Sequence, residues 1–147
     1  MSAAESRFAL CVATFYRDLA DRLLAGARSG FEEGGVSSDR LSIFEVPGAF
    51  ELAPAARSCA LSGQFAGVAC LGAVIRGETS HYDHVCAEAA AGIMRVQLDT
   101  GVPCAFGVVT CENMEQAMQR TGDGKRDQGH DAAKAILALT SLQEELS

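Results

Sequence analysis

Val68-Ala69-Cys70-Leu71-Gly72-Ala73-Val74-Ile75 carries no polar side chain, and Arg76-Gly77 ends it abruptly. An apolar segment of this kind reads as a central strand of a parallel sheet, covered by other elements on both faces. The next stretch, Ser80 to Leu98, reads as a helix opened by Ser80-His81-Tyr82-Asp83. In this S-x-x-D pattern Ser80 is expected to cap the Asp83 N–H and Asp83 to reciprocate, which puts His81 at the first helical position.

The same alternation recurs on both sides. Upstream, Phe8 to Thr14 (FALCVAT) reads as a first strand, and Phe15 to Glu33 as a helix with Leu19, Leu23, Leu24 and Ala27 at helical spacing, stopped by Gly34-Gly35. Leu41 to Val46 (LSIFEV) alternates apolar and polar residues, as an edge strand does. After the Pro47-Gly48 turn, Ala49 to Ser62 reads as a helix that keeps Pro54 in its first turn, and Gly63 closes it. Downstream, Pro103 to Val109 (PCAFGVV) is a fourth strand with its proline at the start, where a missing donor is tolerated. Two helices follow, Glu112 to Arg120 and Gly129 to Leu142, separated by the polar loop Thr121 to Gln128. Four strand–helix rounds without a linker or repeat predict one three-layer α/β domain over residues 1–147.

Composition narrows the partners. The 147 residues are 48% hydrophobic and 21% charged, with 19 acidic against 12 basic side chains and a formal charge of -7. Lys125-Arg126 is the largest basic block, so nucleic acid is not an expected partner, because phosphate neutralisation needs clustered cations. The longest apolar run, Phe65 to Ile75, has 11 residues, against the ~20 that span a bilayer. Met1 to Ser6 hold no export signal, so the cytoplasm is the expected compartment. The six cysteines never occur as C-x-x-C and lie in or beside apolar segments, as buried thiols of a reducing compartment do.

In open parallel sheets, ligands collect beyond the carboxyl ends of the strands, so the loops after Val12, Val46, Ile75 and Val109 are the place for chemistry. No G-x-G-x-x-G and no G-x-x-x-x-G-K-[ST] occurs, which disfavours dinucleotide and Walker-type nucleotide binding. The turn Gly77-Glu78-Thr79-Ser80 enters a helix, and its N–H groups suit a phosphate or other small anion, with Arg76 or Arg120 adding charge; from this segment alone a capped helix start without ligand is the favoured account. His81 sits beside this turn, and histidine is the side chain that exchanges protons near neutral pH. The pair His81 and His84 lacks the third ligand a metal would need. Glu51, early in its helix, is placed to reach a polyol hydroxyl or simply to offset the helix dipole. Phe15 and Phe106 are read as bracketing two neighbouring strand ends, either around a planar ring or as core.

Three ordered stretches resemble the lumazine synthase family: Val46-Pro47-Gly48-Ala49-Phe50-Glu51, Gly72 to Asp83 (GAVIRGETSHYD), and Phe106 to Ala117 (FGVVTCENMEQA). The resemblance runs from Phe8 to about Leu142. It implies a flavodoxin-like sandwich with strand order 2-1-3-4, and pentamers, in some members built into icosahedral shells, with active sites between adjacent copies. It also implies a transferase of riboflavin biosynthesis that joins 5-amino-6-(D-ribitylamino)uracil to 3,4-dihydroxy-2-butanone 4-phosphate, releasing phosphate and water without metal or organic cofactor. By position, Phe15 would stack on the pyrimidine, Ala49, Phe50 and Glu51 would hold the ribityl chain, and the backbone of Ala73, Val74 and Ile75 would read the ring edge. Glu78 and Thr79 would offer donors to the phosphate and His81 would shuttle protons. Phe106 and Arg120 would come from the neighbouring copy, closing the ring pocket and pairing with phosphate. One stretch departs from the family, which usually has Gly-Asn-Lys-Gly before the last helix: here it is Arg126-Asp127-Gln128-Gly129, so Gln128 stands where a lysine is expected, with Lys125 or Arg126 as the nearest cations.

Overall fold

Phe8–Ala13 (β1), Leu41–Val46 (β2), Gly67–Ile75 (β3) and Cys104–Cys111 (β4) pair in parallel as one sheet of order β2-β1-β3-β4, the order that the resemblance implies. The coordinates, a computed structural model, describe residues 5–122 and 126–147. Lys125 lies outside the described residues. The helices are Arg17–Glu33 (α1), Leu52–Leu61 (α2), His81–Thr100 (α3), Met114–Gln119 (α4) and Gln128–Leu146 (α5).

The period-two geometry of a strand sorts the core into two layers. All six residues of β1 are buried. Phe8, Leu10 and Val12 pack with Leu23 and Phe31 of α1 and Ile136 of α5. Ala9, Cys11 and Ala13 point the other way, toward Leu52 and Ala56 of α2 and Ile93 of α3. Each Leu, Ile or Phe so enclosed contributes about 1.5–3 kcal/mol relative to exposure. The edge strand β2 is only partly buried, in keeping with its alternating sequence.

Small residues set the spacing between α1 and α5. A Cβ at Gly129 would lie 2.1 Å from the Leu23 carbonyl oxygen, so the two backbones touch there. Glycine supplies the turns as well: Gly35, Gly63 and Gly101 follow helices with φ of 89°, 75° and 75°, the left-handed region that ends a helix at least cost.

Several expected boundaries move, each for a local reason. Helix α1 starts at Arg17 because Tyr16 is extended (φ -107°, ψ 90°) and forms its N-cap, leaving Phe15 in the preceding turn. The chain after Pro47-Gly48 first makes a 3₁₀ turn, Ala49–Glu51, and only then α2, so Pro54 still falls within the first α turn. Strand β4 continues through Cys111 because the nine-residue β3 offers Val74 and Ile75 as partners for Thr110 and Cys111. The last helix begins at Gln128, with the Asp127 carboxylate accepting the His130 N–H at 3.1 Å as its cap, and runs on to Leu146.

The expected capping box at Ser80 does not form. Ser80 is already in helical backbone geometry (φ -71°, ψ 0°), and its carbonyl, not its hydroxyl, accepts the Asp83 N–H at 3.0 Å. The Thr79 hydroxyl oxygen instead accepts the His81 N–H at 3.2 Å. The Asp83 carboxylate is turned toward Arg76, 3.3 Å away. His81 remains the first residue of α3.

Candidate active site

All four strands being parallel, their carboxyl ends share one rim, and the chain leaves β1 and β3 toward opposite sides of the sheet. That divergence opens a crevice where ligands bind in such sheets. A cleft of about 660 Å³ occupies it, within the range of small-molecule sites.

Each wall comes from one strand end. The turn after β1 supplies Phe15 and Tyr16, and the turn after β2 supplies Ala49, Phe50 and Glu51. The last residues of β3, Ala73, Val74 and Ile75, form the floor, and Gly77, Thr79 and His81 continue from it. Phe15 is 75% exposed and Phe50 59%, so neither ring belongs to the core. Two large apolar rings left open to solvent across a concave surface are the arrangement that a planar apolar ligand completes. Glu51 is held in place from below: its Oε1 accepts the Gly48 N–H at 3.0 Å, which fixes the carboxylate at the cleft edge.

Glu78, Phe106 and Arg120 do not line this cleft. The expectation that Phe15 and Phe106 bracket neighbouring strand ends is corrected. Phe106 pairs with Cys70 in the body of β4, and β3 separates β4 from β1. Half-buried Phe106 instead faces a second depression of about 550 Å³ along the β4 edge, together with Met94, Arg126 and Gln128. Arg120 ends α4, and its guanidinium donates to the Gln116 carbonyl at 3.2 Å. Its carbonyl accepts the Gln128 N–H at 2.8 Å, tying it to the start of α5. From α1, Arg22 anchors this turn, donating to Thr121 Oγ1 at 2.9 Å and to the Met118 carbonyl at 3.3 Å. Arg120 and its turn are thus tied to α1, α4 and the start of α5, and neither Arg120 nor Phe106 reaches the cleft wall.

Tyr82, His84 and Val85 also line the cleft and were not singled out for it, apart from the His81/His84 pairing. The signal was present: His81 and Val85 are four apart, so one face of the first turn of α3 looks onto the site. Burial raises the Tyr82 phenol pKa above its ordinary value, with a hydrogen bond to Thr110 and the nearby Arg76 acting in the other direction. The cysteines stay out of the cleft. Burial pushes the Cys104 thiol up to about 11 and that of Cys70 well above its usual range. The Cys11 and Cys59 sulfurs are 3.8 Å apart in the α2 and α3 layer.

A family model described as 6,7-dimethyl-8-ribityllumazine synthase matches residues 5–144. A protein of Chlorobium luteolum bearing that name is 43% identical over 142 residues, which cover 97% of this chain and 92% of that protein. A namesake from Desulfatibacillum aliphaticivorans is 41% identical over 145 residues, covering 99% and 94%. A third, from Salinibacter ruber, is 41% identical over 140 residues, covering 95% and 90%. Matched by the family model over nearly its whole length and by relatives at 41–43% identity, the chain belongs to the 6,7-dimethyl-8-ribityllumazine synthase family.

Proposed function

We propose that this chain condenses 5-amino-6-(D-ribitylamino)uracil with 3,4-dihydroxy-2-butanone 4-phosphate to give 6,7-dimethyl-8-ribityllumazine, releasing phosphate and water. The observation that carries the reading is the cleft itself, in which exposed Phe15 and Phe50, Glu51, the end of β3 and His81 converge. Phe15 stacks on the pyrimidine, Ala49, Phe50 and Glu51 hold the ribityl chain, and the backbone of Ala73 to Ile75 reads the ring edge. The turn carrying Glu78 and Thr79 offers N–H groups to the phosphate at the start of α3, where the helix dipole favours an anion.

The steps need positioning and proton transfer. The aryl amine attacks the ketone and water leaves as the imine forms. Phosphate then departs by elimination, the resulting enol ketonises, and the ribitylamino nitrogen attacks that carbonyl, closing the second ring as a second water leaves. His81 is the group in the cleft suited to move these protons. Holding two substrates together can contribute roughly 7–11 kcal/mol, whereas acid–base help is typically ~10²- to 10⁴-fold. His81→Ala is therefore expected to slow turnover without abolishing it; activity at background in a folded variant would contradict this division of labour.

A second copy of the chain completes the proposal. Phe106 and Arg120 serve the cleft of a neighbouring copy, with Arg120 pairing with the phosphate and Phe106 closing the ring pocket, in a pentamer. Support comes from the placement of both residues away from their own cleft, and from exposed Met94 and Leu139 beside the open edge of β4. Arg126 lines the same depression as Gln128. No described helix is long and apolar enough to cross a membrane. The cytoplasm is the compartment this reading assigns.

The test mixes the purified chain with both substrates and follows lumazine fluorescence together with free phosphate. Equal release of both supports the enzyme. Tight binding of a lumazine or flavin without phosphate release identifies instead a non-catalytic relative that kept the fold, the reading that Gln128 favours.

A further inference from the structure

We propose that Arg76 is a positioning residue, whose guanidinium clamps the turn 77–80 and the start of α3 so that the phosphate-binding N–H groups and His81 are held in register with the floor of the cleft. The inference rests on the site reading given above and extends it to a residue outside the cleft wall.

Arg76 follows directly on β3, and its N–H continues the sheet ladder by donating to the Cys111 carbonyl at 2.8 Å. Its side chain meets three residues on two elements, the segment just after β4 and the first turn of α3. The Nε lies 2.9 Å from Glu112 Oε2, just beyond β4. A terminal nitrogen lies 3.3 Å from Asp83 Oδ1 in the first turn of α3. The guanidinium carbon stands 4.4 Å from the centroid of the Tyr82 ring, close enough for a cation–π contact. One planar fork, carried on the residue that leaves β3, therefore ties the segment after β4 to the first turn of α3.

The enclosed segment needs such a tie. Residues 77–81 are all exposed, and an added Cβ at Gly77 would meet nothing within 4 Å, so packing does not fix the turn. Its backbone is held locally by the Thr79 oxygen on the His81 N–H and by the Ser80 carbonyl on the N–H groups of Asp83 and His84. These bonds shape the turn but do not attach it to the sheet. Attachment falls to the Arg76 fork, which holds Tyr82 and Asp83 of α3 to Glu112 just beyond β4. Both partners of Arg76 on α3, Tyr82 and Asp83, directly follow His81 in sequence, so the clamp bears on the imidazole and on the anion-binding N–H groups together.

Loss of the clamp should damage one substrate's site and spare the other's. Phe15, Phe50 and Glu51 arise from the turns after β1 and β2, which Arg76 does not touch. Arg76→Gln is expected to raise KM for the butanone phosphate about tenfold, as expected of a small exposed network rather than a buried pair, and to lower kcat. KM for the pyrimidine should stay within about twofold, since a local network couples weakly to distant sites. Arg76→Lys keeps the charge but not the fork or the stacking, and should fall between the two. Phe50→Ala serves as the reference, raising KM for the pyrimidine alone.

Steady-state kinetics with each substrate varied in turn, alongside thermal melts, decide the matter. A selective rise in KM for the phosphate substrate in folded Arg76→Gln, partly rescued by lysine, supports the clamp. Equal rises in both constants, or no change in either, overturn it. Should Arg76→Gln not fold, Arg76→Lys alone gives the same selective test. If Phe50→Ala also leaves the pyrimidine constant untouched, the assignment of the cleft fails; if only the arginine variants behave as wild type, the clamp alone fails.

Discussion

Gly129→Ala is expected to destabilise the fold more than any other single-methyl change considered for this chain. The added Cβ would stand 2.1 Å from the Leu23 carbonyl oxygen, 2.9 Å from its carbon and 3.1 Å from the Ala27 nitrogen. All three are helix backbone atoms, which cannot swing aside as a side chain does. Relief requires α1 and α5 to move apart, and the same interface is already tight one turn on, where a Cβ at Gly30 would lie 2.9 Å from the His130 carbonyl. Separation also loosens Leu23, Phe31 and Ile136, which fill that layer of the core. Overpacking of this kind costs roughly 3 kcal/mol or more, which outweighs the ~1 kcal/mol that alanine gains over glycine in helix propensity. Urea unfolding followed by circular dichroism should place the midpoint well below that of the wild type. Gly77→Ala, where nothing lies within 4 Å, is the control and should leave stability unchanged. A wild-type midpoint for Gly129→Ala would mean that the helices are not in backbone contact.

The layers of the fold were legible because strands and helices impose different periods on the sequence. The unbroken apolar run of β3 and the alternation in β2 gave the central and edge positions that the sheet order then placed. Three features escaped for one shared reason, that their partners are distant in sequence. Asp83 looks locally like half of a capping box, but Arg76 competes for its carboxylate. Thr110 and Cys111 look like loop residues until β3 provides partners for them. Phe106 looks like a residue at a strand end until the register with Cys70 puts it inside β4. The cleft was readable because parallel strands put their loops on one rim, so Phe15, Phe50, Glu51 and His81 meet although they are spread over three turns. The places of Phe106 and Arg120 followed from the family pattern alone, since no periodicity in one chain describes what a second copy contributes.

Two crippled variants are expected to restore each other when they assemble together. Phe15→Ala/Phe50→Ala removes the exposed rings of the cleft, and because neither ring is part of the core the chain should fold normally. Arg120→Ala removes the cation proposed to pair with the phosphate and should lower kcat/KM by roughly 10²-fold, the usual cost of losing one partner of a desolvated charge pair. Each variant alone builds sites that all carry the same defect. If a site takes its cleft from one copy and Phe106 and Arg120 from the next, random mixing leaves about a quarter of the sites with both halves intact, because a closed ring repeats one head-to-tail contact. Co-production of the two variants at equal levels, followed by isolation of mixed assemblies through a tag on each, should then give about a quarter of wild-type turnover. Were every site made within a single chain, every site in the mixture would keep one defect, and turnover would stay at the mean of the two parents. Arg120 ends α4, its guanidinium donates to the Gln116 carbonyl and it does not line its own cleft, which favours the first outcome.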